Sequence, residues 1–218
     1  MRIRVCAVVL FAALLHLTAF GQAAESQTLP SPRLRVRLTL VVRDHISGVA
    51  WFEMTKECNR IWNAEGVDIE WEGSGSTGPP PDVTVPLEFN DHELEVLDRS
   101  KGGSAFGITV FLGRAQRMLV SYRRVRYLVG ARRLVDSYDG TARDNAAGLI
   151  LGRVVAHELG HVLLLTARHS DAGLMSPTLT GERLGPVGPQ HFALSASDRD
   201  YIATRFSTGA DGVRLAAR

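Results

Sequence analysis

Cysteine is nearly missing from this chain. Two among 218 residues cannot make a disulfide scaffold, and one of them, Cys6, lies inside an apolar N-terminal stretch. Aromatic residues are sparse at 7%, and neither sign of charge dominates, with 25 Lys+Arg against 23 Asp+Glu. Such a balance disfavours nucleic-acid binding driven by net charge. Internal repeats are absent, and the only low-complexity segment is the Gly-, Ser- and Pro-rich stretch at residues 73–81. What is present is enough to bury a core. With 45% hydrophobic and 22% charged residues, disorder is excluded as the state of most of the chain.

The small excess of positive charge has a local origin. Arg2 and Arg4 precede an apolar run at residues 5–20, followed by Gly21-Gln22-Ala23-Ala24. The run is short for a bilayer span, and the small residues after it suit a signal peptidase, so residues 1–24 read as a cleavable signal peptide. Nothing downstream reads as long and apolar enough for a stable membrane span, so a secreted or periplasmic protein is expected. Removing the leader takes the basic count to 25 − 2 = 23, equal to the 23 acids. Cys58 is then the only thiol, and core packing or a metal must stabilise the exported domain.

Residues 25–32 read as a loose lead-in, residues 33–207 as one domain and residues 208–218 as a tail. Leu34, Val36, Leu38, Leu40 and Val42 alternate with polar positions, predicting a strand with one buried face. Residues 47–64 switch to helical spacing, with Ala50, Met54, Cys58, Ile61 and Trp62 on one face and Gly66 at the stop. Strands follow at 67–71 and 83–89, the second placed at an edge or made irregular by Pro86. Residues 90–104 carry no clear period. Residues 108–112 and 118–122 predict a hairpin, and the second strand is either a candidate edge for an extended peptide or equally an internal strand. Helices are predicted at 124–135, 146–165 and 196–206, the last with Ser195 and Asp198 spaced as a capping box. The class expected is α+β: a mixed twisted sheet with a buried site helix and a small C-terminal lobe ending in a helix.

The chemistry concentrates in His157-Glu158-Leu159-Gly160-His161. Histidines four apart on a helix project from one face, one turn apart, and can bind a single zinc ion. Glu158 lies one residue round and can address a water on that metal without being a ligand. Zinc lowers the pKa of such a water to about 7, and Glu158 would act as general base and then return the proton to the leaving amine. Two histidines and a glutamate in an apolar helix are costly unless each has a partner, which favours a site over satisfied core groups.

Residues 157–177 read HELGHVLLLTARHSDAGLMSP. This stretch resembles the metzincin zinc peptidases, matrixins in particular, with their H-E-x-x-H-x-x-G-x-x-H, a following Ser and a turn carrying Met. The matching positions are His157, Glu158, His161, His169-Ser170 and Leu174-Met175 with Pro177. The resemblance implies a zincin fold, His157, His161 and His169 as zinc ligands, Glu158 as base, Met175 in the Met-turn, and an endopeptidase acting on peptide or protein substrates. Leu164 stands where the family has Gly, and Ala167 where it has the third His. Leucine takes the left-handed conformation poorly, so the helix is expected to run through Leu165 and the chain to turn at residues 166–168. His169 then arrives two residues late, while Met175 keeps the matrixin separation of 14 residues from His161. Asp171, Glu182 and His191 are the other candidates for the third ligand.

The alternative reading is a catalytically silent module that keeps zinc or binds a partner through the same fold. Arg114, Arg117, Arg123, Arg124, Arg126, Arg132 and Arg133 form a basic stretch, expected as a solvated face rather than a site for acidic substrates. His45 and His92 are expected at the surface, Cys58 as an inert core thiol, and Trp51, Trp62 and Trp71 as packing residues.

Overall fold

A computed structural model describes residues 33–42, 44–73, 79–99, 103–113, 115–131, 139–177 and 192–207. The signal segment, the lead-in, most of the Gly-Pro loop, Arg114, Arg132, Arg133, Glu182, His191 and the tail lie outside them.

The alternation of the first segment becomes β1 (Leu34–Val42), which buries Leu34, Val36 and Leu38. Ser47 caps α1 (Gly48–Ala64) by accepting the Ala50 N–H at 3.2 Å, and the helix buries the expected face of Ala50, Met54, Cys58, Ile61 and Trp62. Gly66 turns the chain at φ 77° into β2 (Val67–Trp71). β3 (Val83–Phe89) follows, then α2 (Asp91–Arg99), β4 (Gly107–Leu112), β5 (Ala115–Val120), α3 (Tyr122–Ala131), α4 (Gly140–Leu164) and α5 (Ala196–Ser207). The helix α2 falls in the stretch without a clear period. Its signal was Asn90-x-x-Glu93: the Asn90 carboxamide accepts the Glu93 N–H and donates to the Glu93 carboxylate, a reciprocal cap.

The sheet order is β2-β1-β3-β5-β4, with β4 antiparallel to β5 and the other pairs parallel. One expectation changes and one open placement is decided. β3 is internal, not an edge: pairing with β5 begins only at Leu87↔Met118, so Pro86 sits where that side has no partner and its missing N–H is tolerated. For β5 the structure takes the internal of the two placements left open, and β4 is one edge of the sheet with β2 at the other, because the hairpin folds β4 outward from β5.

One sheet face packs against α1 and α4 and makes the main core, with Val36, Leu38, Leu87, Phe89, Met118 and Val120 turned to it. The opposite face is covered at one end by α2, through Leu94, Ile108 and Leu119. At its other end Arg35 and Arg37 of β1 pair with Glu70 of β2. Among the described arginines of the basic stretch, Arg117 pairs with Glu88 and Glu93, Arg124 with buried Asp98, and the exposed Arg123 with Asp91 and Glu95, so three arginines tie α2 to its neighbours, while Arg126 is exposed. His45 and His92 are exposed, and burial pushes the Cys58 thiol far up, leaving it un-ionised.

Helix α4 starts earlier than its apolar period, at an Asp139 cap that accepts the Thr141 N–H at 2.8 Å. Contrary to expectation, this downstream segment is long and apolar enough to cross a membrane, but nearly all of its apolar window is buried within the protein. Its approach to α1 depends on small residues. A Cβ at Gly148 or Gly152 would strike the main-chain oxygens of Ala50 and Met54. At the next position of the stripe, the Ala156 carbonyl accepts the Trp62 indole N–H at 3.2 Å.

Between these helices Glu57 is buried against Arg153, 5% and 3% exposed respectively. The Glu57 carboxylate takes hydrogen bonds from Arg153 at 2.9 Å and from Arg60 at 2.6 and 2.9 Å. Burial pushes its pKa up, but the hydrogen bonds and charges of Arg60 and Arg153 outweigh that and hold it below the usual carboxylate value. Removing one partner of a buried pair strands the other, so Glu57→Gln is expected to cost about 3 kcal/mol in urea unfolding at pH 7. A lowered folded pKa contributes stability above the unfolded value of about 4.3 and loses it as pH falls through the folded value, so the two unfolding curves should converge below about pH 4.

Candidate metal centre

The last turns of α4 hold three polar side chains in an apolar setting. His157, Glu158 and His161 are 5%, 5% and 6% exposed. Each needs a partner, and each finds one outside the apolar body of the helix. His157 Nδ1 lies 2.7 Å from the Leu174 carbonyl, and His161 Nδ1 lies 2.8 Å from the Thr166 carbonyl. A carbonyl only accepts, so each Nδ1 carries the proton and each Nε2 presents a lone pair. The two Nε2 atoms are 3.1 Å apart. A tetrahedral metal holding two imidazoles at its usual distance sets their nitrogens about 3.3 Å apart. Two such lone pairs at this separation repel unless a cation lies between them. A proton is disfavoured in that role, because burial, and after it the charges of His161 and His169, push the His157 pKa down to about 4 against the opposing Leu174 hydrogen bond.

His169 reaches the same point from the loop after α4. Its ring stacks on His157 at 19° with centroids 5.2 Å apart, and lies 4.9 Å from His161. Ligand atoms of all three histidines fall within 4.8 Å of one another, the only such group of three among the described residues. His169 keeps substantial solvent exposure, yet partial desolvation still lowers its pKa. Asp171 is exposed and outside the cluster, while Glu182 and His191 lie outside the described residues. Three neutral nitrogens suit a divalent transition metal and leave coordination positions open beside them.

The loop is built to present these groups. Ser170 N–H donates to the Met175 carbonyl at 2.9 Å, and Leu174 N–H to the Ala193 carbonyl at 3.0 Å. Gly173 turns at φ 76°, where a Cβ would strike the Ala193 carbonyl, so no other residue fits without shifting the strand of loop behind it. That turn aims the Leu174 carbonyl at His157. Met175 is buried with its sulfur against Gly160, where a Cβ would collide with it, so the glycine within the HELGH motif admits the methionine.

The helix end differs from expectation by one residue. Helix α4 stops at Leu164, and Leu165 itself takes the left-handed conformation at φ 51°, ψ 38°. Thr166 N–H bonds the His161 carbonyl at 3.2 Å and Leu165 N–H bonds the Val162 carbonyl at 3.3 Å, a Schellman closure. These two bonds hold a leucine in a conformation that ordinarily suits glycine, and they place the Thr166 carbonyl on His161.

Glu158 is held by the edge strand. Thr109 Oγ1 lies 2.7 Å from Glu158 Oε2 and 2.9 Å from its main-chain oxygen. Gly107, two residues back on the same face of β4, leaves room for the glutamate: a Cβ there would lie 2.8 Å from Glu158 Cγ. Neither residue stands out in the sequence, since Gly and Thr within a strand have no motif. The carbonyls of Thr166 and Leu174 are equally invisible, because any residue supplies one.

Two outcomes test this geometry. Leu165→Gly relieves the left-handed strain at an exposed side chain and is expected to raise stability by about 0.5–1 kcal/mol in urea unfolding, with metal affinity unchanged. His169→Ala is expected to weaken metal binding in competition with a chelator by at least about tenfold, and Asp171→Ala to leave it within about twofold; the reverse order would remove His169 from the centre.

Compared with known proteins, the chain matches no family model and no curated protein.

Proposed function

We propose that this chain is an exported, zinc-dependent endopeptidase of metzincin-like kind, with His157, His161 and His169 as the zinc ligands and Glu158 as the general base. The observation that carries the reading is the convergence of three imidazoles within 4.8 Å, beside a buried carboxylate one residue from the first of them. The resemblance of residues 157–177 to the matrixins supports it, as do the placement of Met175 against Gly160 and the position of His169 after a helix that ends late.

Zinc, when bound by three neutral imidazoles, supplies the Lewis acidity that polarises a peptide carbonyl and makes a water acidic. This chain's own residues do the rest. Glu158 takes a proton from the attacking water and delivers it to the departing amine. The carbonyls of Leu174 and Thr166 hold His157 and His161 in the tautomer that turns Nε2 inward. β4 is an edge of the sheet among the described residues, and an extended peptide added there would lie beside the C-terminal half of α4. Residues 1–24 would direct export and be removed, leaving a mature N-terminus near residue 25 that mass spectrometry would reveal.

The test is metal content and hydrolysis of an unstructured protein by wild type and Glu158→Ala. One equivalent of zinc and chelator-sensitive cleavage are expected for wild type. The variant should keep its metal and lose about 10²–10⁴-fold in kcat. Equal activity in the variant refutes the mechanism, and bound zinc without cleavage by wild type points instead to a silent metal-binding module.

A further inference from the structure

Most of the partners of the site histidines come from loop backbone, but Glu158 is tied to a side chain on the sheet. We infer that Thr109 is a positioning residue for Glu158, its hydroxyl setting the orientation of the carboxylate; the inference rests on the reading of Glu158 as proton acceptor. The hydroxyl carries one proton and stands near two acceptors, at 2.7 Å from the Oε2 of the carboxylate and 2.9 Å from the main-chain oxygen. The side-chain oxygen is the nearer acceptor, so the proton goes to it. A glutamate side chain has three torsions to fix, and β4 supplies two points that restrict them. Its Cγ lies in the space left by Gly107, and its Oε2 is held by Thr109. Both points belong to β4, the sheet edge.

That shared origin has a mechanistic consequence. A peptide paired along β4 takes its register from the strand, and Glu158 takes its orientation from the same strand. Base and scissile bond then share one rigid element as a reference, the kind of preorganisation on which proton transfer depends. A purely structural role for Thr109 would be filled as well by valine, which has the same shape and an equal preference for strands. Only the hydroxyl distinguishes the two.

Thr109→Val and Thr109→Ser, each made in the full chain, test the role. Loss of the hydroxyl is expected to lower kcat ten- to hundredfold, with KM and zinc content within about twofold of wild type, and Thr109→Ser to recover kcat to within about threefold. In metal-free protein, the losses of urea stability in Thr109→Val and Glu158→Met should fail to add in the double variant, because each removes one partner of the same contact. Wild-type kcat in Thr109→Val, or additive losses in the cycle, overturns the inference. A wild type that binds zinc and cleaves nothing overturns the peptidase reading and the positioning role with it, while the metal-free cycle still reports whether the contact exists.

Discussion

Helix α4 can be buried along most of its length because one of its faces carries almost no side chains. Gly148, Gly152, Ala156 and Gly160 recur every four residues, and each admits a different neighbour. The backbone of α1 lies against the first two, the Trp62 indole reaches the carbonyl of the third, and the sulfur of Met175 occupies the space at the fourth. Tight approach of backbones maximises dispersion contacts and leaves no room for water. The same stripe thus sets the depth of the core at one end of the helix and admits the loop that carries the third histidine at the other. A methyl group at Gly148 or Gly152 would meet main-chain oxygens that have no easy way to retreat, and one at Gly160 would displace the Met175 sulfur.

Burial at that depth imposes a second condition, because α4 carries four ionisable groups in its buried half. Arg153 is met by Glu57 of α1, His157 by the loop carbonyl of Leu174, Glu158 by Thr109 of β4, and His161 by the carbonyl of Thr166 just past the helix end. Four groups in nine residues are therefore answered from four directions. Groups placed this way cannot relax independently, since releasing any one leaves a polar atom stranded in an apolar setting. The histidines gain from this a defined tautomer, and the glutamate a defined rotamer, before any ligand arrives.

The periphery secures the ends of this arrangement. Arg205 of α5 donates to the carbonyls of Val162 and Leu163, the last turn of α4, where a cation also suits the helix dipole. Glu65, at the end of α1, accepts the Leu194 N–H and pairs with Arg199, so the segment that follows the histidine loop is anchored to the first helix. Arg153 also lies over the ring of Phe192 at 4.6 Å. Three arginines of the basic stretch, Arg117, Arg123 and Arg124, hold α2 on the outer side of the sheet, while Arg123 and Arg126 also face solvent as expected.

By itself the sequence determined what depends on local period and local chemistry. The alternation of β1, the apolar face of α1, the Ser195 cap of α5 and the hairpin at Gly113 are each set by residues within a few positions of one another, and they are legible for that reason. So is the pairing of His157 with His161, since four residues make one helical turn. Tertiary structure alone decided which strand is the edge, because the position of β5 depends on where β3 lies and not on its own residues. It decided that His169 enters the cluster and Asp171 does not, since that depends on how the loop after the left-handed Leu165 folds back on α4. And it decided that Thr109 meets Glu158, 49 residues away, since no local pattern relates a strand hydroxyl to a helix carboxylate.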